Sequence, residues 1–344
     1  MSGSGFKVRL GSNLKFDSPK RSQGLQIARA VAATSVFIHH FVWYSQSFFG
    51  FHVTGVPILG TCGVVIFFVL SGYLMTGSLI RGDQTFLANR VLRIYPSFLI
   101  AAFVVMGTKI LLWGGLGPVS HVTEALTLLP FGNVSYPLFV EWSLVFEVCF
   151  YLLIAFTLFW RRLRLHVFVL ILFVWILIIA LREEQSEILN VGFKVFTSSW
   201  CIALIAGSVL KLVLYAKIIK PFSTSKSQIF GTLLGILATI TSFYVFDFNS
   251  NLYLLALSLS SCLCILSLIE ATSRSFLVQI GNYSYGIYLL HVPLITILMS
   301  LMSQHLSWNK WISISLTLII SALTSHLFGL FDFYLYRYLR RLKL

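Results

Sequence analysis

The sequence predicts an all-α, polytopic integral membrane protein with about ten transmembrane helices and both termini in the cytoplasm. Its composition sets the class, because 58% of the 344 residues are hydrophobic, 10% are charged and the mean hydropathy is +0.89. A soluble globular domain would have an apolar share nearer half and a charged share nearer a quarter. The number of helices follows from the apolar runs, and their orientation follows from the basic residues between the runs.

Each apolar run is about twenty residues long, which is enough to cross a hydrocarbon core of about 30 Å. The runs begin near Leu25, Pro57, Ser97, Leu138, Leu165, Gly192, Gln228, Leu252, Ser284 and Trp311. Between the third and fourth runs, residues 113–137 combine several glycines with a short apolar stretch. We expect a loop there, with a helix that lies at the outer face or dips into it.

Basic residues alternate strongly between the connections. Twenty of the 25 Lys and Arg residues lie in the N-terminal tail, the even-numbered connections and the C-terminal segment. The positive-inside rule therefore places both termini in the cytoplasm. This layout predicts a cytoplasmic tail at 1–22, one membrane domain at 23–335 and a basic cytoplasmic tail at 336–344. It also accounts for the net charge of +14 without a nucleic-acid partner, since no polar domain carries a basic tract interleaved with aromatic residues.

The first run carries three ionisable side chains, Arg29, His39 and His40. Such groups are costly in hydrocarbon unless they face a protein interior or a watery cavity, so they indicate a functional site. Arg29 and His40 are eleven residues apart, which is almost three helical turns and about 16 Å of rise along one face. His39 points about a third of a turn away. The structural alternative is that Arg29 reaches the interface and the histidines only pack.

The second connection holds Arg90 and Arg93. Spaced three residues apart, they share one face of a helical turn and can grip a single anionic group. The alternative is that they only set the topology. Pro96 disfavours helix at Tyr95, so we expect a break where the chain enters the third span.

The fourth span carries two carboxylates. Glu141 is expected at the outer interface, and Glu147 lies about 9 Å deeper along the helix. A carboxylate at that depth must be neutral or paired, and the first span offers Arg29, His39 and His40 as partners.

The ninth span places Ser284, Tyr288 and His291 along a polar stripe, and Pro293 is expected to kink it just beyond the histidine. Because His291 has no acidic neighbour in its own span, packing is the favoured role for it over catalysis.

Five motifs now stand in order along the chain. They are Arg29 with His40, the FFVLSGYL segment of the second run, Arg90-Val-Leu-Arg93-Ile-Tyr95-Pro96, Trp142-Ser-Leu with Glu147, and the stretch from Asn282 to His291. Together they resemble the membrane acyltransferase-3 family from Leu25 to about Arg341. Short members of that family acetylate or succinylate sugars of bacterial exopolysaccharide, O-antigen and Nod factors. Two departures are Val148, where a second acidic residue is usual, and Asp332-Phe-Tyr334 in place of a terminal Glu-x-Pro.

The resemblance implies a multi-pass enzyme of the bacterial inner membrane, an acyltransferase that transfers groups other than aminoacyl groups. Its co-substrate would be acetyl-CoA or succinyl-CoA, with no bound cofactor, and its acceptor a polysaccharide or a lipid-linked oligosaccharide. Arg29 and His40 would be required for activity, while Arg90 and Arg93, with Tyr95 beside them, would bind the acyl-CoA.

We expect His40 to act as general base, with Glu147 or Arg29 orienting its imidazole or countering charge; a covalent acyl-histidine is the alternative. Candidate acceptor or supporting residues are His39, Glu141, Trp142, Ser284, Tyr288 and His291. No metal site is expected, because these histidines and carboxylates form no recognisable ligand set.

A second class of function competes with acyl transfer. In a proton-coupled transporter or flippase for a lipid-linked glycan or an organic anion, Arg29, His40 and Glu147 would form a proton relay. The sequence shows neither an inverted repeat nor a matched pair of Gly/Pro-broken helices, which such transporters often have.

Overall fold

A computed structural model describes residues 22–50, 53, 55–116, 122–130, 136–181, 195–248, 250–272, 275–305 and 309–342. Over these residues the chain is helical and contains no strand, which confirms the predicted fold class. The helices, numbered in chain order, are α1 Gln23–Phe49, α2 Val56–Arg81, α3 Phe86–Trp113, α4 Val122–Thr127, α5 Glu141–Phe159, α6 Arg164–Leu181, α7 Cys201–Tyr215, α8 Ser225–Val245, α9 Asn251–Leu268, α10 Phe276–His305 and α11 Lys310–Leu342. The predicted N-terminal tail lies outside the described residues, apart from Ser22.

Nine of the described helices are long and apolar enough to cross a membrane. The tenth expected span is α7, whose helix has fifteen residues. The predicted run began earlier, near Gly192, and residues 192–194 lie outside the described part of the chain. At the other end, α11 continues to Leu342, so residues 336–342 of the predicted tail are helical.

The centre of the helix bundle is α2, which packs against α1, α5, α7 and α9. Its close approach to α7 depends on two glycines. A Cβ added at Gly72 would lie 2.1 Å from the carbonyl oxygen of Leu204, and one at Gly207 would lie 2.0 Å from that of Val69. Small residues at such crossings let helix backbones approach closely, which drives packing in a lipid environment.

The outer helices of the bundle show their apolar side chains to the surroundings. In α8 only 17% of an apolar 18-residue stretch is buried, whereas 61% of the corresponding stretch is buried in α2, α5 and α10. Since lipid tails solvate such side chains, the membrane surface is formed by α6, α8 and α11, while the polar residues of the middle helices are shielded.

The segment between α3 and α5 turns back into the protein. Ala125, Leu128 and Leu138 are fully buried, and the hydroxyl of Tyr95 donates to the carbonyl of Thr127 at 2.6 Å. Tyr95 lies about 27 Å of helical rise before the end of α3 at Trp113. The loop expected near the outer face therefore penetrates far along α3.

The break expected at Tyr95 was wrong, because α3 runs without interruption through Pro96. Tertiary contacts hold the helix on both sides of the proline. The hydroxyl of Tyr285 donates to the carbonyl of Ile94 at 2.9 Å, and Ser97 is hydrogen-bonded to α11. Such contacts with neighbouring helices stabilise the helical conformation on either side of the proline and outweigh the local preference against it. In α10, likewise, the helix continues through Pro293.

Candidate active site

His40 is held by two acceptors at the same ring nitrogen. Its Nδ1 lies 3.1 Å from the carbonyl oxygen of Val36, one turn earlier in α1, and 3.0 Å from Nε2 of His291 in α10. His291 is 1% exposed, and its own Nδ1 lies 2.8 Å from the carbonyl oxygen of Tyr288. The fold thus pairs the histidine of the first span with the histidine for which packing was expected.

His39 turns towards a different helix, as the helical period predicted. Its Nδ1 lies 3.1 Å from the carbonyl oxygen of Val56 at the start of α2, and its ring packs against Gly60. The rings of His39 and His40 still meet edge to face, with centroids 4.8 Å apart. His39 therefore borders His40 while being anchored elsewhere.

A cavity of about 360 Å³ is enclosed by α1, α2, α3, α5, α10 and α11. On α2 its lining extends from Val64 to Arg81, about 25 Å of helical rise. At one end it is lined by side chains at or near helix termini, including four arginines. These are Arg81, Arg90, Arg93 and Arg340. Because Ser22 and Arg340 both line this cavity, the two described ends of the chain lie at the same end of the bundle.

Arg29 and Glu147 line the inner part of the same cavity. Nε of Arg29 donates to the hydroxyl of Ser284 at 3.1 Å, across a close contact in which a Cβ at Gly281 would lie 2.0 Å from the carbonyl oxygen of Gln26. Glu147 accepts a hydrogen bond of 2.5 Å from Ser71 of α2. Arg29 and Glu147, whose charges are costly within a membrane, thus both face the cavity and have hydrogen-bond partners on neighbouring helices.

The expectation that Glu147 or Arg29 orients the imidazole of His40 differs from this geometry. Among the described residues, the groups that hydrogen-bond to His40 are the Val36 carbonyl and His291. The sequence could not show this, because His291 is 251 residues away and carries no acidic neighbour.

The two arginines of α3 have different surroundings. Arg93 forms an ion pair of 2.8 Å with Asp332 of α11, whose carboxylate is fully buried and also accepts from Ser97 at 2.7 Å. Arg90 instead lies over the rings of Phe86 and Tyr151, 5.3 and 5.7 Å from their centroids. Among the described residues no carboxylate lies within ion-pair distance of Arg90. Its charge is therefore available to a ligand, whereas that of Arg93 is largely neutralised by Asp332.

Tyr288 connects the cavity to the histidines. Its side chain lines the cavity, its hydroxyl is hydrogen-bonded to Ser143 at 2.7 Å, and its ring centroid lies 5.6 Å from that of His291. The predicted polar stripe of α10 consists of Ser284, Tyr288 and His291. Ser284 is hydrogen-bonded to Arg29, and His291 is hydrogen-bonded to His40.

Six of the predicted residues do not line the cavity, namely His39, His40, His291, Tyr95, Glu141 and Trp142. Tyr95 is bonded to the Thr127 carbonyl, and Trp142 packs into an aromatic cluster, 5.3 Å from the ring of Trp200. Glu141, predicted at the outer interface, is fully buried within the protein. It accepts from the Leu138 amide at 2.7 Å, as a carboxylate at a helix N-terminus should, and its Oε2 has no hydrogen-bond partner among the described residues.

Several cavity residues were not predicted from the sequence. Ser71, Arg81 and Arg340 were not singled out, and Asp332 was noted only as a departure from a motif. The basic residues could be found only as part of the charge alternation, since nothing in their spacing relates them to Arg90.

The chain is similar to a known protein family and to individual known proteins. A family model described as an acyltransferase domain, that of acyltransferase-3, matches residues 22–328. Nodulation protein 10 of Rhizobium leguminosarum bv. viciae is 34% identical over an alignment of 125 residues. This match covers 29% of this chain and 34% of that protein. The exopolysaccharide production protein ExoZ of Rhizobium meliloti (strain 1021) is 33% identical over 126 residues, 33% of this chain and 38% of that protein.

The chain thus matches about a third of the length of each of these two relatives. No solved structure matches it. The family model, in contrast, covers both histidines of the pair, Arg29, Glu147 and the arginines of α3. This chain belongs to the acyltransferase-3 family.

Proposed function

We propose that the protein is a membrane O-acyltransferase that moves an acetyl or succinyl group from cytoplasmic acyl-CoA to a sugar hydroxyl of an exported or cell-surface glycan. One observation carries the proposal. The cavity extends from a cluster of arginines to Tyr288, and Tyr288 contacts the histidine that holds His40. The cavity thus offers an anionic donor a binding site at one end and, through Tyr288 and His291, adjoins a basic imidazole at the other.

The arginine end suits the phosphates of acyl-CoA. Guanidinium groups donate charge-assisted, often bidentate hydrogen bonds to phosphate oxygens. Arg81, Arg90 and Arg340 supply such groups at the helix termini. Beyond them the walls include apolar side chains such as Leu74, Met75 and Phe67, which fit a long flexible arm that carries the thioester inward. The positive-inside rule assigns this end to the cytoplasm.

Beyond Tyr288, which lines the inner end of the cavity, His40 acts as general base on the acceptor. Its imidazole takes the proton of the sugar hydroxyl while the oxygen attacks the thioester carbonyl carbon, so that a C–O bond forms. The C–S bond then breaks, and the thiolate leaves with the proton that the imidazolium returns. Arg29 is held at Ser284, about 10 Å of helical rise from His291, where it supplies positive charge along the path of the anionic donor.

The acceptor is proposed from the relatives and from the layout. One relative is named for exopolysaccharide production, and His40 lies about 27 Å of helical rise from Ser22, near the face opposite the arginines. We assign the outer side of the bacterial inner membrane to a polysaccharide or lipid-linked oligosaccharide.

The test is mass spectrometry of the surface glycans from cells with and without the gene, and from cells that carry His40→Ala. An acyl mass present only with the intact protein is expected, and its value identifies the donor. Glycans of the same acylation but lower export would instead support the transporter or flippase.

A further inference from the structure

We infer that His291 is the positioning residue for His40: through an N–H···N hydrogen bond it fixes which imidazole nitrogen faces the acceptor and stabilises the imidazolium that forms. This inference rests on the proposed function of His40 as base. From the sequence, packing was favoured over catalysis for His291, which was also among the possible supporting residues; its contact with His40 follows only from the fold.

The protonation of both rings follows from their carbonyl partners. A carbonyl oxygen only accepts, so the nitrogen that contacts it must carry the hydrogen. Nδ1 of His291 faces the Tyr288 carbonyl at 2.8 Å, which leaves Nε2 of His291 with its lone pair. Nδ1 of His40 faces the Val36 carbonyl at 3.1 Å and therefore carries the hydrogen that it shares with Nε2 of His291 at 3.0 Å. The hydrogen-bond network thus assigns His40 the tautomer whose Nε2 is unprotonated.

This arrangement has consequences for proton transfer. When Nε2 of His40 accepts a proton, the ring becomes a cation and its Nδ1–H becomes a stronger donor. Nε2 of His291, 3.0 Å away, receives that stronger bond, and burial keeps water from competing for it, because His291 is 1% exposed. The interaction therefore strengthens as the reaction proceeds, which lowers the barrier and leaves donor binding unchanged.

The rigid setting of His291 supports this role. It lies between the Tyr288 carbonyl and His40, with the ring of Phe37 from α1 at 6.1 Å on one side. A group held this firmly loses little freedom when it binds its partner, so it can orient a base on a separate helix.

Kinetics of purified variants test the inference. Phe keeps the size of the ring without an acceptor, so His291→Phe should lower kcat about 10- to 100-fold with an unchanged KM for acyl-CoA, as is usual for residues that orient an active group. His291→Gln places an amide oxygen near the position of Nε2 and should recover part of kcat. His326→Phe is the matched control. His326 lies in α11 and packs on Tyr283 of α10, so this variant should leave kcat unchanged.

A spectroscopic measurement separates positioning from packing. In protein labelled with ¹⁵N-histidine, the intact chain should show a protonated Nδ1 for His40 and a scalar coupling between that nitrogen and Nε2 of His291. His40→Gln and His291→Gln assign the signals. A His40 proton on Nε2, or an unchanged kcat in His291→Phe, would overturn the inference. Retained transfer in His40→Ala would overturn the proposed function instead, so the two failures are distinguishable.

Discussion

His40 lies in the second half of α1, and its Nδ1 contacts both the Val36 carbonyl and His291. We expect His40→Ala to abolish acyl transfer, because the variant removes the imidazole that takes the proton in the proposed mechanism. His39→Ala should have a milder effect, since His39 is anchored at the Val56 carbonyl on α2. Acyl transfer from labelled acyl-CoA, measured at equal protein abundance in the membrane, checks both. Full activity of the His40 variant would remove the mechanism.

Arg90 is the arginine of α3 whose charge is free for a ligand. Arg90→Ala should raise the KM for acyl-CoA roughly tenfold or more, the value of one charge-assisted hydrogen bond, with a small effect on kcat. Arg90→Lys should recover only part of the loss, because an ammonium cannot offer the planar fork of a guanidinium. Calorimetric titration of acyl-CoA in detergent measures the affinity. Unchanged affinity in a folded Arg90→Ala variant would assign Arg90 to topology alone.

The ion pair of Arg93 joins two helices, α3 and α11, that are remote in the sequence. Because Asp332 is fully buried, Arg93→Ala should leave an uncompensated carboxylate and cost about 3–5 kcal/mol of stability. The double variant Arg93→Met, Asp332→Leu should be much closer to the original protein, since it removes both charges together. Thermal unfolding in detergent measures the difference.

Arg90→Ala is the matched control for the stability of the Arg93 variants, because no described carboxylate pairs with Arg90. It should unfold near the temperature of the unchanged protein. Equal stability of Arg93→Ala and the double variant would show that Asp332 does not depend on its cation.

Helical periodicity was sufficient wherever the signal lay within one element. It predicted the shared face of Arg29 and His40, the separate face of His39 and the stripe from Ser284 to His291. It could not predict which helices pack against each other through these polar faces. Helix pairing depends on contacts such as that of Gly281 with Gln26, which no local pattern encodes. For this reason the partners of His40 and Arg93 emerged only from the fold. The prediction of a helix break before Pro96 was wrong for a similar reason, since tertiary hydrogen bonds outweighed a local preference.

At the scale of the whole molecule, the described ends of the chain lie at the arginine end of the cavity. A reporter that works only outside the cytoplasm should therefore be silent when fused after Leu344 and active when inserted between Phe51 and Gly55. Enzymatic assays of the two fusions in intact cells provide the measurement. Activity of the C-terminal fusion would reverse the proposed orientation, and with it the side from which the donor enters.

The pairing of α1 with α10 also bears on how the protein is made. During synthesis α1 enters the membrane first and carries Arg29 and His40 with it, but Ser284 and His291 follow only 255 and 251 residues later. Through that interval, α1 must keep an intramembrane arginine without the helix that will receive it. Until α10 is in place, the nascent chain therefore lacks these partners at its centre, and no nascent chain that ends before His291 contains both histidines of the pair.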